Sequence, residues 1–584
     1  MKPLVIGASM VAFAAACLLG CSQSTQNDAD RALKAVYSSE WTWRQEQLPD
    51  DEDSQKPIQD HLPAVTPAVQ ETRLHYWENV LQKLNSIDHN ALSPAEQLNY
   101  DVYRPQIETL IASQRFRDFE MPANSDTTFW TNLGYTARRP FRTLQDYRRW
   151  IAQMRDIPRY FHEEMDEMRA GLKRGFTPPR VTLQHLDGSI TAVTDVAPEA
   201  GLFYTPFKEM PGVSNADQAT LRADAIETIH DLVQPAYAEL LKFMRTEYVP
   251  GARTTLAAQD LPDGKAFYQA KIREFTTLDT DPATIHGLGE AEVARLTGEM
   301  TSVMRESGSQ GDLPAFLTYL RGDPKFYTKT PEELLMRAAW IAKRFDGKAS
   351  LFFGYLPRMR FTIRPVPDDL APFYTSGRGG PGVYLVNTYD LPSRPIYNLT
   401  ALTLHESAPG HAFQMPIAME HEDQPEFRQH TYISAYVEGW ALYCEKLGVE
   451  MGMYDTPFDR FGMLGYQIWR AARLVVDTGI HSQGWSRDQA VAYFRRYTAL
   501  SDREIQTEID RYIAWPGQAL SYYLGEMAIV EARTKAEQAL GARFNIRAFH
   551  DAVLELGSVP LPVLTARIDR FIAEDGKGPY PDME

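Results

Sequence analysis

His405-Glu406-Ser407-Ala408-Pro409-Gly410-His411, followed from Glu438 by Glu-Gly-Trp-Ala-Leu-Tyr, brings together two imidazoles and two carboxylates, the donor types of a catalytic zinc site. Such a site typically has three protein ligands and a fourth position for water, whose pKa falls from ~15.7 to about 7. In a His-Glu-x-x-His helix the histidines lie four apart on one face, and the glutamate beside the first is the general base. Here the second histidine comes six residues after the first. At ~100° per residue, six steps carry His411 about 240° round a straight helix, away from the face of His405. Pro409 lacks an N–H and its ring meets the carbonyl of His405, while Gly410 accepts angles that other residues resist. The stretch therefore predicts a helix that bulges or breaks at Pro409-Gly410, returning His411 to a one-turn relation with His405 and aiming Glu406 at the water.

The third ligand is expected from a separate helix. Tyr432 to Val449 has helical spacing of Ala435, Glu438, Leu442 and Glu445, which puts Glu438 and Glu445 on one face. Glu438 is read as the ligand and Glu445 as an acceptor for an imidazole N–H. One zinc ion per chain is expected, held by His405, His411 and Glu438, with Glu406 as base.

At these residues the chain resembles the bacterial lipoprotein family catalogued as domain of unknown function 885, with its His-Glu-x-x-Pro-Gly-His and later Glu-Gly-Trp-Ala. Further matching segments are Leu92-Ser93 with Glu96 to Tyr100, Gly171 to Arg180, Pro381 to Tyr384 with Asn387, Arg470 to His481 with Gly484-Trp485, and Trp515 to Gly525. That family in turn is similar to the helical zinc peptidases of the thimet oligopeptidase, angiotensin-converting enzyme and carboxypeptidase Taq type. The resemblance implies a mainly α, zincin-like metallopeptidase fold, with a small β-sheet next to the active-site helix and a deep cleft between two lobes. It implies a peptide or oligopeptide substrate, and a C-terminal tyrosine or histidine as donor to the oxyanion. Tyr522, Tyr523 and His481 are the candidates.

The formal charge of −17, from 77 acidic and 60 basic residues, opposes nucleic-acid binding and supplies no polybasic membrane patch. The N-terminus reads as an export signal: Lys2, an apolar run from Leu4 to Leu19, then Leu18-Leu19-Gly20-Cys21. The last four residues resemble a lipoprotein box, which implies lipid on Cys21. Ser22 beside it implies the bacterial outer membrane, with the protein facing the periplasm and held by the lipid anchor alone. Residues 1–21 are thus expected as signal, 22–40 as a polar tether, and 41–584 as one two-lobed catalytic domain. Cys444 is then the single cysteine left in the folded body, so no structural disulfide is expected. The acidic stretch Gln45 to Lys56 is expected to be disordered.

Helix signals dominate: Ser93-Pro94-Ala95-Glu96 opens a helix toward Gln114, and others are expected at Leu144 to Leu172, Asn215 to Tyr248, Pro282 to Glu306, Pro331 to Lys343, Arg487 to Ala499 and Arg503 to Ala514. Strands are expected at Leu351 to Pro357, Arg360 to Pro365 and Gly382 to Asn387. The last is the candidate strand for aligning a peptide backbone, with Gly382, Tyr384 and Asn387 at the substrate. Arg470 and Arg473 fall three apart on a helix, where one could grip a substrate carboxylate; an ion pair with Asp477 is the plainer reading. Two rivals share this sequence signature: a non-catalytic periplasmic binding lipoprotein on a peptidase scaffold, and a metal-dependent hydrolase of non-peptide amides or esters. Serine chemistry lacks a Gly-x-Ser-x-Gly elbow.

Overall fold

The computed structural model describes residues 9–48, 56–125, 127–368, 370–421 and 423–582, with side chains from residue 26 onward apart from Phe373. The chain is mainly helical with one three-stranded sheet. Helices α1 (Ser9–Gln47), α2 (Pro94–Phe116), α3 (Leu144–Arg174) and α4 (Pro282–Glu306) precede the sheet. After it come α5 (Ile396–Glu406), α6 (His411–Glu420), α7 (Ser434–Glu450), α8 (Pro457–Gln483), α9 (Asp502–Ala514) and α10 (Ser521–Leu540). The expected cap at Ser93 is in place, and the structure adds one at Asp281. Ser93 accepts from the Glu96 N–H to start α2, and Asp281 accepts from Ala283 and Thr284 to start α4.

The stretch expected as a polar tether is part of α1. Its second half buries Leu33 and Tyr37, and Glu40 accepts from Trp77 and Tyr103, both at 2.9 Å. The helix continues to Gln47, while residues 49–55 of the acidic stretch lie outside the described residues, as do the side chain of Cys21 and residues 1–8 of the signal.

The sheet has the order β1 (Thr362–Pro365), β3 (Val383–Val386), β2 (Gly377–Gly380), with β1 parallel and β2 antiparallel to the central β3. The strand expected at Leu351 to Pro357 is instead a helical turn, Ala349–Phe352, followed by loop. Leu351 is exposed there, and the N–H groups of Gly354 and Tyr355 are taken by the Asp551 carboxylate rather than by a ladder partner.

Three apolar cores organise the chain. One lies among helices between Ile58 and Ala252; the other two meet around α5 and α7. Helix α5 gives Leu399 and Leu404 to one of these and Ala401 and Leu402 to the other; α7 likewise gives Tyr436, Val437 and Trp440 to the first and Leu442 to the second. Being wedged between two cores holds both helices rigidly, and these are the helices that carry the motif residues. Because α1 contributes to one of these cores, a chain starting at residue 26 should keep the thermal and urea stability of the full chain. One starting at residue 49 should lose about 5 kcal/mol or more, through the missing Leu33 and the orphaned Trp77 indole. Equal stability of the two truncations would put α1 outside the cooperative fold.

Candidate metal centre

Helix α5 stops at Glu406 and α6 begins at His411, so the predicted break is a full interruption across Ser407 to Gly410. The turn is held by backbone bonds from Ser407 N–H to Thr403 O at 2.9 Å, Gly410 N–H to Leu404 O at 3.0 Å, and Ala412 N–H to Ser407 O at 3.1 Å. Gly410 packs directly on the end of α5: a β-carbon there would fall 1.8 Å from the His405 carbonyl oxygen. From the other side, the buried Trp440 indole donates to the Pro409 carbonyl at 2.8 Å. The Glu-Gly-Trp-Ala motif thus pins the loop that brings the second histidine back.

The result is a compact donor set. The rings of His405 and His411 stand perpendicular with centroids 4.8 Å apart. Glu438 Oε2 lies 3.4 Å from His405 Nε2 and 3.5 Å from His411 Nε2. Two bonds of ~2.1 Å at a tetrahedral angle would place their donor atoms roughly 3.4 Å apart, so these separations suit one zinc-sized cation. All three residues are buried, and Glu438 Oε2 has no hydrogen-bond partner. Seven residues along α7, on the same face, Glu445 Oε1 lies 2.8 Å from His405 Nδ1, which fixes the ring with Nε2 turned to Glu438. Burial alone would lower His405, but Glu438, Glu445 and Glu406 outweigh it and raise its pKa to about 10. Burial would likewise raise Glu438, but His411 and His405 hold it well below the usual carboxylate range. The cluster is built to contain positive charge.

Glu406 is partly exposed and accepts from the Gly379 N–H at 2.6 Å. Gly379 belongs to β2, whose backbone runs so close to α5 that a β-carbon on it would sit 1.7 Å from the Glu406 carbonyl oxygen. Sequence reasoning missed β2, because Gly-Arg-Gly-Gly has no strand propensity. It also missed Tyr432, whose hydroxyl donates to Glu438 Oε1 at 3.1 Å and whose place just ahead of α7 was the only hint. Tyr522 lies nearby at the start of α10, where Ser521 Oγ is 2.8 Å from Ser434 Oγ at the start of α7. Arg511 Nη2 reaches the Tyr522 hydroxyl at 3.4 Å, and the Arg473 guanidinium stacks 4.4 Å from its ring centre.

Residues 49–568 match the model of a family described as "Bacterial protein of unknown function (DUF885)". The fold is similar to the crystal structure of "the putative lipoprotein from Colwellia psychrerythraea", at 24% identity over 95% of this chain and 99% of that one, with a TM-score of 0.84. It is also similar to that of "a putative lipoprotein of unknown function from Shewanella oneidensis", at 18% identity over 92% and 98% of the two chains, with a TM-score of 0.70. No curated protein matches. Among the described residues no helix is long and apolar enough to cross a membrane.

Other expected site residues lie elsewhere or do other work. Strand β3 is central, paired on both sides, so the edge strands are β1 and β2, and β2 is the one that lies against Glu406. Tyr384 is fully buried in a core, Gly382 precedes β3 in a left-handed turn with φ of 76°, and the Asn387 amide ties down the carbonyls of Ala371, Tyr374 and Thr375. Asp477 is engaged by other groups: it accepts from Tyr268 at 2.6 Å and from the Gly517 N–H. Arg473 pairs with Glu508 at 3.0 Å rather than with Asp477, and Arg470 stands 3.9 Å from Glu445. Tyr523 donates to Glu292, and the Cys444 thiol is buried with its pKa pushed up by burial and by Glu445.

His481 is fully buried with both nitrogens used: Nδ1 accepts from Ala258 N–H at 3.1 Å and Nε2 donates to the Tyr512 carbonyl at 2.8 Å. It is therefore a neutral structural ring. Burial holds its pKa down at about 3, against an ordinary value of 6.5. The unfolded chain takes up this proton from about pH 6.5 downward while the folded chain does not, so folding stability drains away as pH falls from there toward 3. Urea unfolding at pH 7.5 and pH 5 should therefore show an acid loss smaller by about 2 kcal/mol in His481→Gln than in the parent. Identical losses would mean that His481 is protonated in the fold.

Proposed function

Because the chain belongs to the DUF885 family of bacterial proteins of unknown function, whose description assigns no reaction, the chemistry rests on the side chains, and we propose that the protein is a zinc-dependent peptidase. The observation that carries this reading is the buried, unpartnered Glu438 oxygen set 3.4 and 3.5 Å from two imidazole nitrogens, beside a partly exposed glutamate. A buried carboxylate oxygen without a donor is costly, and a divalent cation shared with both histidines removes that cost.

In this reading His405, His411 and Glu438 hold the ion, and Glu445 keeps His405 in the tautomer that offers Nε2. Zinc so held supplies Lewis acidity to a water molecule and to the substrate carbonyl. Glu406 takes the proton from the attacking water and delivers it to the leaving amine. Tyr522 accepts from Arg511, which leaves its own O–H proton free to donate to the developing oxyanion; one such donor is typically worth ~10²–10³ in rate. The open edge of β2 aligns the peptide backbone beside Glu406, taking the role first expected of β3. The fold would then be of the zincin-like helical type, with its site in a cleft between lobes.

The same proposal has the protein facing the periplasm from the outer membrane, held by lipid on Cys21. It is supported by Leu18-Leu19-Gly20-Cys21 and by the description of both structural relatives as lipoproteins.

Purified protein should contain about one zinc per chain and cleave a mixed peptide library. Glu406→Gln should retain the metal and lose at least ~10³-fold in turnover, whereas His405→Ala should lose both. Undiminished turnover in Glu406→Gln would remove the mechanism. Mass spectrometry of the membrane-extracted protein should find a diacylated or triacylated Cys21 as its first residue; an intact leader would end the anchoring proposal.

A further inference from the structure

The protein carries a formal charge of −17, yet three arginines, Arg470, Arg473 and Arg511, cluster on α8 and α9, with Arg470 3.9 Å from Glu445 on the helix that also carries Glu438. Arg470 and Arg473 stack on Trp469 with guanidinium carbons 4.3 and 4.6 Å from its ring centre, and Arg473 also stacks on Tyr522. Arg511 lies beside them, donating to the Tyr522 hydroxyl and to the Gln518 amide oxygen, the latter at 3.0 Å. Among the described residues, the carboxylate facing Arg473 and Arg511 is Glu508, at 3.0 and 3.8 Å. Arg470 lies 3.9 Å from Glu445, which is already engaged by His405, and also acts electrostatically on Glu508.

Three guanidinium groups thus share fewer carboxylates than they need. Arg470 Nε and Nη1 and Arg473 Nη1 have no hydrogen-bond partner, although these side chains are only 6% and 3% exposed. Buried donors left unmet on a charged group are costly, and an arriving anion relieves the excess positive charge. Arg511 is the member that solvent reaches, with 24% of its side chain exposed. Its neighbour Tyr522 reaches toward the His405, His411 and Glu438 trio by way of two residues: it interacts electrostatically with Tyr432, whose hydroxyl touches Glu438, and it follows Ser521, which touches Ser434 on the helix that carries Glu438.

We infer that Arg511 and Tyr522, backed by Arg473, form a subsite for the free α-carboxylate of a peptide, so that cleavage falls within one or two residues of the C-terminus. A planar guanidinium matches a carboxylate in bidentate fashion, and each peptide residue spans about 3.5 Å, so the carboxylate docks a short reach from the scissile carbonyl. The reaction is plain hydrolysis: water adds its oxygen to the carbonyl carbon, the C–N bond breaks, and the nitrogen leaves as the amine of the released C-terminal piece, having gained a proton. This inference rests on the peptidase reading and narrows its substrate class.

The test separates the two. Zinc-loaded Glu406→Gln protein is equilibrated with an equimolar library of N-acetyl tripeptides, once as free acids and once as C-terminal amides, and retained peptide is quantified by mass spectrometry after ultrafiltration. The acids should be retained about tenfold or more better than the amides, and adding Arg511→Gln should bring the two within about twofold. Equal retention of acid and amide in the Arg511-intact protein, or retention of neither, overturns the carboxylate subsite. Cleavage by the zinc-loaded wild-type protein is scored in parallel: equal cleavage of acids and amides leaves the peptidase reading standing and removes only this subsite, whereas the expected retention without cleavage of any peptide removes catalysis and keeps the subsite. Arg511→Lys, which keeps the charge and loses the fork, should fall between, and matched circular dichroism excludes a folding defect.

Discussion

Everything at the His405, His411 and Glu438 trio depends on one interruption of the helix between Glu406 and His411. A continuous α-helix would send the second imidazole round to the far side, and no adjustment of side-chain rotamers could recover it. The chain solves this by ending α5, folding four residues back across its last carbonyls, and restarting as α6. The close approach of Gly410 to the His405 carbonyl makes the turn tight enough, and the indole of Trp440 fixes it from the neighbouring helix. A sequence motif that looks like a ligand motif with a flaw is therefore two motifs locked together, one supplying the loop and the other its clasp.

The second constraint is electrostatic. Helix α7 is buried nearly all round, yet it carries Glu438 and Glu445 on one face. Two carboxylates in an apolar interior demand cations and donors around them, and here they bracket His405, one at each ring nitrogen. Such a sandwich fixes ring orientation and tautomer together. It also explains why two cores meet at this point, since only helices gripped on both sides keep donor atoms within a few tenths of an ångström.

Much of this was legible in the chain itself, because it depends on local rules. The proline and glycine demanded a break, and the seven-residue spacing put Glu438 and Glu445 on one face, where Glu445 indeed meets His405. Capped helices such as those starting after Ser93 and Asp281 could be read for the same reason. What could not be read depends on tertiary placement. Strand β2 is a strand because it lies against β3 and α5, not because Gly-Arg-Gly-Gly favours extension. His481 reads as a candidate oxyanion donor through the resemblance to helical zinc peptidases, but three dimensions spend both its nitrogens on backbone groups. Residues 22–40 read as a polar tether after the lipoprotein box, yet α1 buries Leu33, Tyr37 and Glu40 within them.

The contrast between total and local charge bears on what such a site can bind. An excess of acidic groups spread over a solvated surface is screened within roughly 8–10 Å at physiological ionic strength, so it does little to govern events inside a lined pocket. Tyr522 touches Arg473 and Arg511, whose shared carboxylate partner is Glu508, and these three charges sum to a positive value. Stacking on Trp469 and Tyr522 holds the guanidinium planes in place, which spares an incoming anion the cost of ordering long side chains. Local field and pre-set geometry, rather than the protein's net charge, then set the electrostatic character of this region.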